Sequence, residues 1–360
     1  MFKNLSRRRF LAGSTAAAGA LSLGGPSAFA ADPLKVGFIY VGPIGDFGWT
    51  PGHDLGRTAI EKEFGDKVKT TYVESVDEGP DAERVIRQLA SAGNKLIFTT
   101  SFGFMNPTIK AAKQFPDVKF EHATGYQTAK NVSAYNARFY EGRAVIGTIA
   151  GHVTKTGKFG YIASFPIPEV VMGINAFILA ARKVRPDAEI SVVWVNSWYD
   201  PGKEADATKA LIDQGCDVIT QHTDSPAPIQ TAGARGVWCF GQASDMTSFA
   251  PEWHATAILD VWDNYYVERT RAVLDGTWQT SNVWQGMKEG MVAMAPYNKG
   301  LPPAAVEAAE TVRKAIIDGS LHPFTGPIND QNGAEKVAAG ATMADGDLLG
   351  MDWYVEGVSA

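Results

Sequence analysis

Two α/β lobes, each a mostly parallel sheet flanked by helices, are the fold class this sequence predicts. Three observations predict it. From Leu34 onward short apolar runs alternate with amphipathic stretches, separated by Gly-containing loops. The same alternation starts again after Gly157. Finally, 45% of the 360 residues are hydrophobic, more than one core of ordinary size would use.

In the first block Lys35–Tyr40, Val68–Val73 and Leu96–Thr99 read as strands, each followed by a helix: 52–64, then 81–91 with apolar spacing at Val85, Ile86 and Leu89, then 107–114. In the second block Phe159–Ala163, Ile190–Val195, Val218–Gln221 and Val237–Phe240 are strands. Helices are expected around 170–183, 203–214 and 228–234. Beyond His254 a strand and helix (255–274), a strand (290–295) and a Pro-started helix (303–318) are too few for a third sheet. They should complete the first two lobes, so the chain must pass between lobes more than once. The expected division is 31–157 plus about 258–285 for the first lobe and 158–257 plus about 286–360 for the second.

The N-terminus carries its own signal. Ser6-Arg7-Arg8-Arg9-Phe10-Leu11 opens an apolar run from Leu11 to Leu23 that ends at Ala28-Phe29-Ala30, the pattern of a twin-arginine export peptide cleaved near Ala31. The run is too short and too rich in Gly and Ala to span a hydrocarbon core of about 30 Å. No cysteine adjoins the cleavage site for a lipid anchor. The expected product is a soluble periplasmic protein.

Composition narrows the chemistry. A formal charge of −6 and a pI near 5.6 give no basic field for nucleic-acid polymers. Two cysteines, Cys216 and Cys239, make neither a disulfide framework nor a cysteine-rich metal site, although they could oxidise to each other if their strands are neighbours. The six histidines have no paired metal-ligand spacing, and neither a Gly-x-Ser-x-Gly elbow nor a phosphate-binding Gly-Lys-Ser/Thr loop is present. No cofactor and no enzyme activity are expected.

Open α/β sheets bind ligands beyond the carboxyl ends of their strands. The loop after the first strand offers Asp46, Trp49 and Thr50; the alternative roles are a core cap for Trp49 and a helix cap for Asp46. The loop after the third strand offers Phe104 and Asn106. In the second block the strand ends supply Trp198, Asp224, Gly241 and Asp245. Asp77-Glu78 and Glu204-Ala205-Asp206 read as solvated carboxylates. Two tryptophans, one from each lobe, could sandwich a flat polar ring whose edge the carboxylates and amides then read. A sugar would use the same groups.

The order of Lys35–Tyr40, Gly45-Asp46-Phe47-Gly48-Trp49, Phe139-Tyr140-Glu141-Gly142-Arg143, Lys155–Ile162, Gly215-Cys216-Asp217-Val218-Ile219 and Phe240-Gly241 resembles the basic membrane protein family. These are substrate-binding proteins of ABC importers, of the purine-nucleoside receptor type. The resemblance implies a two-lobed periplasmic-binding-protein type I fold with three crossovers, a purine ligand between the lobes, an ABC permease partner and a monomer. Asp46 matches the family's first-loop Asp, but Phe47-Gly48-Trp49-Thr50 replaces the Ser-Phe-Asn that usually follows. Trp198 stands where the second stacking aromatic is expected, and Asp224 is the nearest match to the ribose-holding Asp. The usual Lys has no counterpart in Ala257–Trp262. Larger rings and an altered ribose grip imply a free nucleobase, adenine or a related purine. The alternatives are a purine nucleoside or sugar receptor for import, or a periplasmic sensor for a signalling receptor.

Overall fold

Leu34–Tyr40 forms β1, followed by α1 (Trp49–Phe64), β2 (Val68–Val73), α2 (Pro80–Ser91), β3 (Leu96–Thr100), α3 (Met105–Gln114), β4 (Lys119–Ala123) and β5 (Val132–Ala137). This computed structural model describes residues 32–45 and 47–360; the predicted export peptide and Asp46 lie outside the described residues. β1 and β3 are buried over most or all of their length, as central parallel strands covered on both faces must be. On α2 the residues Val85, Ile86 and Leu89 face the sheet, with Asp81 and Glu83 at its positive end.

The chain then enters α4 (Phe139–Val153) and builds β6 (Lys158–Ala163), α5 (Pro168–Val184), β7 (Glu189–Trp194), α6 (Pro201–Asp213), β8 (Val218–His222), α7 (Ala227–Ala234), β9 (Trp238–Gly241) and β10 (His254–Asp260). Helix α8 (Asp263–Leu274) returns to pack on α1, where Gly56 lies flat against the Tyr266 ring. β11 (Asn282–Gln285), β12 (Val292–Met294), α9 (Pro303–Asp318), the β13 (Ile328–Asn329) and β14 (Glu335–Val337) pair, α10 (Asp345–Leu349) and β15 (Val358–Ser359) complete the chain.

The first sheet runs β11-β5-β4-β3-β1-β2 and is parallel at every pairing. The second runs β12-β10-β9-β8-β6-β7-β15, with only β12 antiparallel. Strand membership makes the chain pass between the sheets three times: after β5, after β10 and after β11. Separate cores lie between the first sheet and α2/α3 and between the second sheet and α6/α7. A third core is continuous through both halves, from Phe38 and Tyr40 through α4 to Phe159 and Tyr161.

β4, β5, α4 and β11, with the short β13, β14, α10 and β15 near the C-terminus, are absent from the sequence expectation. α4 is buried around nearly its whole circumference, Phe139 through Gly151, so it has no polar face to give a helical period. β5 is Val-Ser-Ala-Tyr-Asn-Ala, four of its six residues small or polar. Glu204 also departs from expectation. It is fully buried in α6, where its carboxylate accepts from Ser225 Oγ (2.6 Å) and from the Asp200 backbone N–H (2.9 Å). Cys216 and Cys239 are buried free thiols although β8 and β9 are neighbours.

Candidate functional site

The loops after β1 and β7 face each other across the interlobe cleft. Gly48, at φ +91°, turns the chain into α1 and presents Trp49 as the helix's first residue. Trp49 is tightly held. Its Nε1 donates to the Thr100 carbonyl (2.6 Å), and its ring meets His53, Trp262 and Phe139 edge-on with centroids 4.4, 5.6 and 6.1 Å away. Beside it Thr50 Oγ1 accepts from the Gly42 N–H (3.3 Å).

On the opposite wall Asn196 takes φ +51° and aims Ser197, Trp198 and Tyr199 at the cleft before Asp200 caps α6. Trp198 leans on Phe165 (5.3 Å between centroids), and its carbonyl accepts from the Asp224 N–H (2.9 Å). Its indole N–H is buried and has no hydrogen-bond partner among the described residues. Trp49, Thr50, Trp198 and Asp224 all line one cavity of about 330 Å³, together with Phe165 and Asn196. That volume is in the range of small-molecule sites.

The lobes are in contact across this cavity. The Gly48 N–H donates to Ser244 Oγ (2.6 Å), Phe47 meets Phe249 edge-on at 4.6 Å, and the Asp224 carbonyl sits where a Cβ on Gly48 would be, 2.7 Å away. Only glycine fits there, on backbone angle and on space alike.

Behind the tryptophans a smaller chamber of about 20 Å³ reaches Ser101, Phe102, Glu169, His222 and Gln242. Its surroundings are rich in buried acid. Burial pushes the Asp224 carboxyl well above the ordinary carboxylate range; Glu204 and Glu169 add to this, while the Trp49 backbone N–H opposes it. Asp260 is raised for the same first reason, with Glu169 and Asp224 adding, and both its oxygens lack partners among the described residues. Burial lowers the His222 imidazole.

The remaining expected site residues sit elsewhere. Phe104 is fully buried in the core between the first sheet and its outer helices; Phe102, two residues earlier in the same 3₁₀ turn, lines the chamber instead. Asn106 is exposed and accepts from Gln127 Nε2 (3.3 Å). Gly241 is packed against Ala257 and His254, and Asp245 is exposed, capping the Thr247 N–H (2.9 Å). Asp46 is outside the described residues. Glu169, His222 and Gln242 were not among the expected residues. His222 and Gln242 lie at strand ends as Asp224 does, and Glu169 opens the helix that follows β6, so the strand-end rule covers all three.

Residues 34–323 match the family model described as ABC transporter substrate-binding protein, PnrA-like. The chain belongs to this family. Its members bind solutes and are not enzymes. Membership brings a small-molecule ligand, an ABC permease as partner and a place outside the cytoplasmic membrane. Among the described residues no helix is long and apolar enough to cross a membrane. A Brucella abortus protein named as purine-binding is 60% identical over 93% of this chain and 95% of its own length. A Haloferax volcanii protein named as a candidate glucose-binding protein of an ABC transporter is 37% identical, over 84% of this chain and 76% of its own. A solved ABC solute-binding protein from Aeropyrum pernix shares the fold with a TM-score of 0.67 at 21% identity, covering 81% of this chain and 93% of that one.

Proposed function

We propose that this protein is the importer receptor for a purine base, adenine or a close relative, held between Trp49 and Trp198. The observation that carries the reading is the pair of indoles from opposite lobes lining one cavity of about 330 Å³ with Asp224 beside them. Each stack contributes about 1–3 kcal/mol. A ligand of about ten heavy atoms, at best about 1.5 kcal/mol each, then reaches micromolar to nanomolar affinity. Asp224 and Thr50 accept from ring or amino N–H groups, and the contacts of Gly48 with Ser244 and of Phe47 with Phe249 hold the lobes shut. The purine-binding name of the Brucella relative supports the choice of ligand. Delivery to the periplasm follows from the twin-arginine pattern at Arg7–Arg9. The receptor presents both closed lobes to its permease as a monomer.

A sugar is the second reading, favoured by the glucose name of the Haloferax relative and by tryptophan faces with carboxylate edges, which also suit a pyranose. Native mass spectrometry of the protein as purified separates the two. A retained mass equal to adenine or another purine base supports the proposal. A retained hexose overturns it in favour of the sugar, and a retained nucleoside restores a ribose grip at Asp224.

A further inference from the structure

The hydrogen-bond polarity of the inner chamber is set from inside the protein. Arg143, fully buried on α4, donates through Nη1 to Thr220 Oγ1 (3.1 Å) and through Nη2 to Gln242 Oε1. A guanidinium has only donors, so the amide atom that meets it must be the oxygen. Gln242, 2% exposed, lines the chamber and keeps its NH₂ as the free half of the amide.

Across the chamber the polarity is opposite. Glu169 Oε1 lies 3.4 Å from His222 Nε2, and Glu169 Oε2 is buried with no hydrogen-bond partner among the described residues. The Tyr161 hydroxyl is 3.5 Å from His222 Nδ1, and burial favours the neutral imidazole. A neutral His222 that accepts from Tyr161 at Nδ1 carries its proton on Nε2, facing Glu169. Glu169 Oε2 is then left as an acceptor in the same small space as the Gln242 donor.

Resting on the purine reading, we infer that Gln242 and Glu169 read one edge of the base, with Arg143 as the positioning residue that fixes the amide. Gln242 donates to an unprotonated ring nitrogen and Glu169 accepts from a neighbouring N–H. The ligand class is a heteroaromatic ring bearing an N–H donor next to a ring acceptor. A hydroxyl can rotate to satisfy either group, so a polyol gains nothing from a fixed amide. A ring that lacks the acceptor leaves the Gln242 NH₂ buried and unpaired, which discriminates strongly.

The test is calorimetric titration of the mature protein with adenine and its 1-, 3- and 7-deaza analogues, each replacing one ring nitrogen by C–H. In the wild type one of the three analogues should bind about 30-fold more weakly than adenine. In Gln242→Leu that penalty should fall below about 3-fold, because its partner is gone. Gln242→Glu keeps an acceptor for Arg143 while removing the NH₂, so it should erase the same penalty and guards against a Leu variant that does not fold. Arg143→Lys should shrink the ratio between adenine and the sensitive analogue while adenine still binds. A merely structural role would weaken all four ligands together. Wild type that binds adenine but shows no analogue penalty, or a penalty equal in all variants, overturns the inference and leaves the purine reading standing. Wild type that binds no purine at all overturns the purine reading itself.

Discussion

The two walls of the cleft solve the same task with opposite economies of contact. On the first, Trp49 is held firmly: its N–H reaches the Thr100 carbonyl and its ring packs at steep angles against three aromatic rings. On the second, Trp198 has a buried N–H without a partner among the described residues, Asp224 is raised by burial, and Asn196 and Ala243 both take left-handed backbone angles. Unsatisfied groups and strained backbone persist where they serve a ligand. The first wall is scaffold that also stacks; the second is shaped for what enters.

The largest effect should come from breaking the contact between the walls. Gly48→Ala puts a Cβ 2.7 Å from the Asp224 carbonyl at φ +91°, so binding should weaken about 100-fold while the isolated lobes stay folded. Titration calorimetry with circular dichroism checks this; wild-type affinity would mean that closure does not pass through Gly48. Next, Trp49→Ala and Trp198→Ala should each lose about 10- to 100-fold in purine affinity. Trp49→Ala should also destabilise the fold, by about 2–3 kcal/mol in urea, and by more than Trp198→Ala, since Trp49 gives up three ring contacts and the bond to Thr100 whereas Trp198 gives up Phe165 and a more distant His222. Equal destabilisation by both would erase the contrast between the walls.

Asp224 gives a pH test of smaller size. Its carboxyl binds a proton more tightly folded than unfolded, so stability should fall as pH rises from about 4 toward the raised value and stay lower above it. Asp224→Asn should flatten that fall and raise the Tm at neutral pH by about 2–4 °C while weakening the ligand. A melt series across pH reads both; an Asn variant that melts lower at neutral pH contradicts the sign. The smallest contrast is Trp→Phe. Trp49→Phe forfeits the bond to Thr100 and should cost about 1 kcal/mol, whereas Trp198→Phe removes a donor with no partner among the described residues and should leave stability unchanged or slightly higher.

Much of this arrangement is legible in the residues, for identifiable reasons. Strands such as Leu96–Thr100, apolar and ended by loop formers, announce a parallel sheet, and the strand-end rule leads directly to Trp49, Trp198 and Asp224. What sequence could not resolve is side-chain direction within a short turn. Phe102 and Phe104 share one 3₁₀ turn, and residues two apart there point to different sides, one into the chamber and one into the core. Helix α4 was illegible because burial on all sides leaves no period to read. Its Arg143 looked like part of a motif, yet its reach to Thr220 and Gln242 depends on β8 and β9 lying beside each other. Glu204 failed for the same reason in reverse: a charged helix start looks solvated until Ser225 is folded over it.

The measurement that bears most directly on the account is titration of the mature protein, freed of any retained solute, with adenine and with glucose under tryptophan fluorescence. The account predicts saturable one-to-one adenine binding with quenching that loses a component in Trp198→Ala, and no response to glucose. Saturation by glucose with no response to adenine would contradict it.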